Sequence, residues 1–208
     1  MVIPHNINLY RRYPHWKRAG CIYIHIPKAA GTSINSAIYG RTLGHYRADE
    51  IASRFPKLYQ KCFTFSFVRN PWSRSLSAYQ FAKIGKTQTM GMSNPEKYQV
   101  PEFDTFERFL FDWLSTKNLE KEDFVFQPQY RYVLDENMKV MVDFIGKVET
   151  LEHDIKVVEE KLSKEILLKH INRTSENLDF RKAYINSEMV DLVSRLYAED
   201  IKLFNYEF

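Results

Sequence analysis

Two stretches of the chain are almost wholly apolar and rich in β-branched or aromatic residues, CIYIHI (21–26) and FTFSFV (63–68). That is the pattern of strands covered on both faces, as in a parallel sheet. Each passes at once into a polar loop and then into sequence of helical period, the alternation expected of an α/β fold. Between them, GTSINSAIYG (31–40) and ADEIASRFP (48–56) read as helices, the second stopped by Pro56, and together they make a right-handed crossover. After the second strand, SRSLSAYQFAKIG (73–85) predicts a helix that ends near Gly85.

Further along, DTFERFLFDWL (104–114) offers Asp104 as an N-cap and Glu107 at N3, with Phe106, Phe109, Leu110 and Trp113 on one helical face. VMVDFIGKVE (140–149) predicts another strand, and TLEHDIKVVEEKL (150–162) a helix through Leu151, Ile155, Val158 and Leu162. The segment 187–204 carries Met189, Val193, Leu196 and Tyr197 at helical spacing and closes the domain. KTQTMGMSNPEKYQVP (86–101) has no dominant period and reads as a long loop of the kind that serves as a lid or binding segment. Residues 1–20 are polar and aromatic without a clear period and are expected to form an N-terminal extension lying on the domain.

Composition bounds this picture without redirecting it. A chain of 208 residues fits one domain, 1–208, and is long enough to bury a substantial core; its 44% hydrophobic and 27% charged residues do not suggest disorder. The net charge of +4 favours an anionic ligand, but bases and acids are interspersed, which argues against nucleic acid as the partner. Cys21 and Cys62 have neither metal-ligand nor disulfide-framework spacing and read as buried reduced thiols. No apolar run is long enough for a signal peptide or membrane span, so a cytoplasmic protein is the default expectation.

The first strand, loop and helix carry the candidate chemistry. A helix N-terminus directs main-chain N–H groups and the positive end of its dipole at whatever lies there. In HIPKAAGTS (25–33), Lys28 adds a full charge, Gly31 permits close approach, and Thr32 and Ser33 supply hydroxyls. An equally simple reading is a helix capped by Thr32 or Ser33 with a solvated lysine nearby. A nucleotide-hydrolysing P-loop needs G-x-x-x-x-G-K-[ST], which is missing, and the second strand runs into Arg69 rather than a magnesium-binding aspartate. In FVRNPWSRSLSAY (67–79), Arg69 offers a donor fork suited to phosphate, Ser77 lies further along the next helix, and Pro71 sets where that helix begins. Arg74 reads equally as an exposed helical arginine or a ligand contact, whereas Trp72 and Tyr79 read as core.

HIPKAAGTS followed by FVRNPWSRSLSAY resembles the two cofactor motifs of sulfotransferases that use 3′-phosphoadenosine 5′-phosphosulfate. The nearest likeness is to the carbohydrate type, which includes heparan and chondroitin O-sulfotransferases and small bacterial members. GHYRADEI, FQPQYRYV, VDFIGKVETLEHDI, LKHINRTSE and AEDIKLFNYEF resemble later landmarks, so the likeness covers most of the chain from Cys21 onward. It implies a P-loop NTPase-like three-layer fold with a central parallel β-sheet flanked by helices. It also implies that Lys28, Ala30, Gly31, Thr32 and Ser33 hold the 5′-phosphosulfate and that Arg69 and Ser77 hold the 3′-phosphate. Arg173, with Ser175 beside it in INRTSEN, matches a segment that closes over the nucleotide; a basic turn between helices is the plainer alternative.

The implied reaction is metal-independent, in-line transfer of a sulfuryl group to a hydroxyl of a carbohydrate acceptor, with Lys28 stabilising the leaving phosphate. The acceptor proton needs a base. Among six histidines, His45 occupies a histidine position of the related sequences, with Glu50 and Asp49 as alternatives. His25 lies within a strand and reads as core or near-site; His153 and His170 read as surface, and His5 and His15 belong to the extension. The rival readings are a P-loop-like kinase or NTPase and a non-catalytic nucleotide-binding module. The acceptor and the oligomeric state are not encoded in any motif, although 83–101 and FQPQYRYV (126–133) are candidate acceptor surfaces.

Overall fold

In chain order the helices are α1 His5–Ala19, α2 Gly31–Tyr39, α3 Ala48–Arg54, α4 Pro56–Lys61, α5 Pro71–Ile84, α6 Phe106–Arg108, α7 Tyr130–Val133, α8 Leu151–Leu162, α9 Ser187–Leu196 and α10 Ala198–Phe204. The strands are β1 Cys21–Ile24, β2 Phe63–Val68 and β3 Phe144–Lys147. These come from a computed structural model that describes residues 5–86, 91–92, 94–168 and 179–208. The described residues divide into two compact units, one drawn from 1–68 and 129–172, the other from 69–128 and 173–208.

The first unit holds the parallel sheet, in the order β1-β2-β3, with Ile24 opposite Ser66 and Phe67 opposite Gly146. Side chains alternate across β2. Phe65 and Phe67 enter an apolar cluster with Cys21, Tyr23, Ile34 of α2, Ile155 and Val158 of α8, and Ile166. Gly146 is small because Phe67 lies against it: a Cβ there would sit 2.5 Å from the Phe67 ring. The other face of β2 carries buried Thr64 and Ser66, both satisfied. Ser66 Oγ donates to the Ile24 carbonyl at 2.8 Å, while Thr64 N–H and Oγ1 both donate to Asp143 Oδ2 at 2.8 Å. The Asp143 carboxylate thereby ties the entry of β3 to β2.

Residues 5–19, where no period was legible, form a helix with Pro14 inside it. Its apolar contacts are aromatic edges: Trp16 meets Tyr46 and Phe55, and Tyr10 and Tyr13 meet Phe55. Pro56 both ends α3 and opens α4, where proline at the first helical position costs no hydrogen bond.

The second unit is built on α5 and an aromatic core of Tyr79, Tyr98, Phe103, Phe106, Phe109, Trp113 and Phe126. Here the expected helix over 104–114 is corrected. Thr105, not Asp104, is the N-cap, its Oγ1 accepting from Arg108 N–H at 3.1 Å, and the α-helical turn soon widens into a π turn over Phe109–Trp113. That turn brings the rings of Phe109 and Trp113 into a stack at 5.6 Å. The C-terminal helix is likewise interrupted: Tyr197 separates α9 from α10, and its buried hydroxyl donates to the Phe126 carbonyl at 2.8 Å. Within 86–101, the described residues include a bridge between Lys86 and Gly91 and a short 3₁₀ turn over Pro95–Tyr98. Among the described residues, no helix is long and apolar enough to cross a membrane.

Candidate active site

β1 is buried along its whole length, and the chain leaves its carboxyl end through residues 25–30 into α2. Two residues of that loop, Lys28 (φ 66°) and Ala30 (φ 57°), adopt the left-handed conformation. For side chains with a Cβ this costs on the order of 1–2 kcal/mol each. Ala30 is the N-cap of α2 and has no side-chain acceptor to offer. Neither Thr32 nor Ser33 is the cap: both lie inside the first turn, which removes the capped-helix alternative. Ile34 N–H takes the Ala30 carbonyl at 3.4 Å, and the N–H groups of Gly31, Thr32 and Ser33 precede the first intrahelical acceptor. The N-terminus of α2 therefore presents main-chain donors and its dipole beside a lysine.

Gly31 is required by its neighbour. A Cβ added there would lie 1.8 Å from Cδ2 and 2.0 Å from Nε2 of His25, whose imidazole packs on the first residue of α2. The His25 ring is buried and held, so it cannot swing aside as a surface side chain would. Gly31→Ala is expected to lower stability by about 1–3 kcal/mol, the usual cost of overpacking. Equilibrium urea unfolding measures it, and an unchanged midpoint would contradict the contact.

The other end of α2 is pinned to β1. The Tyr39 hydroxyl receives Tyr23 N–H at 2.9 Å and donates to the Cys21 carbonyl at 3.2 Å. At the start of the helix, Asn35 Nδ2 donates to the Gly31 carbonyl at 2.9 Å. Cys21 and Cys62 are both buried free thiols; burial pushes the Cys21 thiol up to about 11 and raises Cys62 as well, so neither is a reactive nucleophile.

His45 lies with its ring centroid 4.0 Å from that of His25, and its Nδ1 is 3.0 Å from the His25 carbonyl oxygen. A carbonyl only accepts, so Nδ1 carries the proton and the basic lone pair resides on Nε2. Glu50 and Asp49, the alternative bases, serve the start of α3: Glu50 Oε2 accepts Arg47 N–H and Asp49 Oδ1 accepts Glu50 N–H, both at 2.8 Å. Burial above all, then the charge of His45, holds the His25 imidazole well below the ordinary histidine value of 6.5. The unfolded chain thus takes up a proton below about pH 6.5 that the folded chain refuses. Stability should fall as the pH drops through that window, by up to about 1.4 kcal/mol per unit from His25. His15, lowered by burial and by nearby arginines, acts with the same sign. Denaturant titrations at pH 7.5 and 5.5 check this, and equal stabilities would count against a buried neutral His25.

In the second unit, Asn70 caps α5: its Oδ1 accepts from Trp72 and Ser73 N–H at 3.1 and 3.2 Å, with Pro71 at the first helical position. Arg69 Nε donates to Ser73 Oγ at 3.0 Å. Ser77, buried, follows one turn beyond Ser73 on the same face of α5. Ser73 was missed in the sequence, although its i, i+4 spacing from both Arg69 and Ser77 is the signal that finds it. The exposed-helix reading of Arg74 is overturned. It is 2% exposed and its guanidinium donates to the Val125 carbonyl at 3.2 Å. Trp72 and Tyr79 are core, their polar atoms bound to the carbonyls of Val190 and Phe103. His153 is on the surface, whereas Arg173, Ser175 and His170 lie outside the described residues.

In the first unit, an uncapped helix start beside a lysine and a histidine of fixed tautomer suit the handling of an anionic group and a proton; in the second unit, taken by itself, an arginine with two serines on α5 suits an anion. No curated protein and no solved structure matches this chain. A model of the sulfotransferase family, however, matches residues 16–207, a span that contains both motifs and most of each unit. The chain belongs to the sulfotransferase family.

Proposed function

We propose that the protein transfers the sulfuryl group of 3′-phosphoadenosine 5′-phosphosulfate to a hydroxyl of a carbohydrate acceptor. The observation that carries the reading is the start of α2: a first turn without a side-chain cap, entered through left-handed Lys28 and Ala30, in a member of a sulfotransferase family. In this reading Lys28 and the main chain of Ala30, Gly31, Thr32 and Ser33 bind the 5′-phosphosulfate. Arg69 and Ser77 bind the 3′-phosphate, with Ser73 orienting Arg69, and Arg173 adds a further cation. The two units act as one sulfotransferase domain over 1–208. A reducing compartment, the cytoplasm, suits its two buried free thiols.

The acceptor oxygen attacks sulfur as the bond from sulfur to the bridging phosphate oxygen breaks. The sulfuryl group moves to the acceptor, the electron pair of the broken bond goes to the 5′-phosphate, and the acceptor's proton goes to Nε2 of His45. Lys28 and the N–H groups of α2 stabilise the charge gathering on the phosphate. Within this scheme no step is assigned to a metal.

Calorimetric titration separates this reading from a kinase or NTPase. The protein is expected to bind 3′-phosphoadenosine 5′-phosphate in preference to ATP, and preference for ATP would overturn the donor assignment. Arg69→Ala tests the second phosphate. A lost hydrogen bond to a charged group is worth about 1.5–3 kcal/mol, so Kd should rise about ten- to a hundredfold. Affinity for adenosine 5′-phosphosulfate, which has no 3′-phosphate, should stay the same; an equal loss for both ligands would contradict the assignment.

A further inference from the structure

We propose that His25 is a positioning residue for His45: its imidazole packs the His45 ring in the one orientation in which Nδ1–H reaches the His25 main-chain carbonyl, beside the start of α2. The inference rests on the reading of His45 as the base. His25 touches His45 in two ways: its carbonyl lies 3.0 Å from His45 Nδ1, and its ring faces the His45 ring at a centroid distance of 4.0 Å and an interplanar angle of 41°. The His25 ring is itself held. It stacks on Tyr23 at 5.9 Å and packs on Gly31 so closely that no side chain fits there. One imidazole therefore bridges the first residue of the anion-binding helix and the base.

The chemistry of His25 fits this role and not that of a second base. It is 4% exposed, and its Nδ1 is buried with no hydrogen-bond partner among the described residues. Leaving a buried polar atom unsatisfied costs about 1–3 kcal/mol, which an apolar side chain of similar shape would avoid. The ring's other polar contact is a hydrogen bond to the Gly44 main chain. The titratable groups that face it are Tyr23 and His45, and burial keeps His25 neutral. A neutral ring at this distance adds no like-charge repulsion when His45 takes up the acceptor's proton, whereas a second cation would.

The test uses the full chain with ¹⁵N-labelled histidine, reading the imidazole nitrogen shifts of His45 beside steady-state kinetics. In the unaltered protein His45 is expected to be the Nδ1–H tautomer alone. His25→Gln, which removes the ring but keeps comparable length, should give mixed His45 tautomers. It should also lower kcat about ten- to a hundredfold, as misplacement of a reacting group does, with the donor KM within twofold. His25→Phe, which keeps an aromatic face, should restore the single tautomer and part of kcat. A single tautomer together with kcat within twofold in His25→Gln overturns the proposal. Should His25→Gln fail to fold by circular dichroism, His25→Phe decides alone, and mixed tautomers there overturn it. The nitrogen signals are read without turnover. If His45→Ala transfers at the normal rate, the base assignment falls while the positioning result is judged separately.

Discussion

Replacing Lys28 by alanine is expected to lower the sulfuryl-transfer rate by a factor on the order of 10²–10³, the loss seen when one preorganised donor to a developing oxyanion is removed. The lysine stands in the loop before α2 in a left-handed conformation at φ 66°, which an L side chain adopts only at a cost. In the proposed reaction its ammonium serves the leaving phosphate, where negative charge grows as the bond to sulfur breaks. The effect should therefore fall mainly on kcat, with a smaller change in donor KM, because the interaction strengthens on the way to the transition state. Lys28→Arg should recover little, since a planar fork does not reproduce a compact point charge. A loss confined to KM would make Lys28 a binding residue only.

The second large effect is expected at His45. His45→Ala removes the proton acceptor and should cost about 10²–10⁴ in kcat. Binding of 3′-phosphoadenosine 5′-phosphate should be unchanged, because His45 serves the acceptor oxygen in this account. The fixed tautomer gives the assignment its content: with Nδ1–H donated to the His25 carbonyl, Nε2 is the nitrogen that takes the proton. His45→Gln should be almost as slow as His45→Ala, because an amide keeps a polar atom in reach but is no base at neutral pH. Transfer within tenfold of normal by either variant would remove His45 from the base role and leave the structural pair with His25 without catalytic meaning.

The parts of the fold that were legible in the sequence are those in which local pattern and burial agree. CIYI and FTFSFV read as buried parallel strands because every position, or every second one, is apolar, and both pair as expected. α5 was legible from Pro71 near its start and Gly85 at its end, two signals that act within a few residues, whereas the Asn70 cap came with the fold. What failed depended on packing between distant residues. α1 was not legible because its buried face is made of one aliphatic side chain, Leu9, and of the amphipathic rings of Tyr13 and Trp16, interspersed with Arg11, Arg12 and Pro14. The break at Tyr197 coincides with a buried hydroxyl that donates to the Phe126 carbonyl, a partner far away in the chain. The burial of Arg74 is of the same kind, since its acceptor is Val125.

The candidate site divides along the same line. Lys28, Gly31, Arg69 and Ser77 stand out by residue type and spacing alone. The contact of His25 with Gly31 and His45, and the bond from Arg69 to Ser73, became visible only with the chain folded. Glycine was expected at position 31 for close approach of a ligand; the folded chain adds a reason internal to the protein, the imidazole that fills the space a side chain would need.

The most direct test of the central claim is transfer of ³⁵S from labelled 3′-phosphoadenosine 5′-phosphosulfate to a panel of hydroxyl-bearing saccharides. Label is expected on at least one saccharide, with one equivalent of 3′-phosphoadenosine 5′-phosphate released for each transfer. No label on any member of the panel, with ³²P passing instead from ATP to the same saccharides, would contradict that claim.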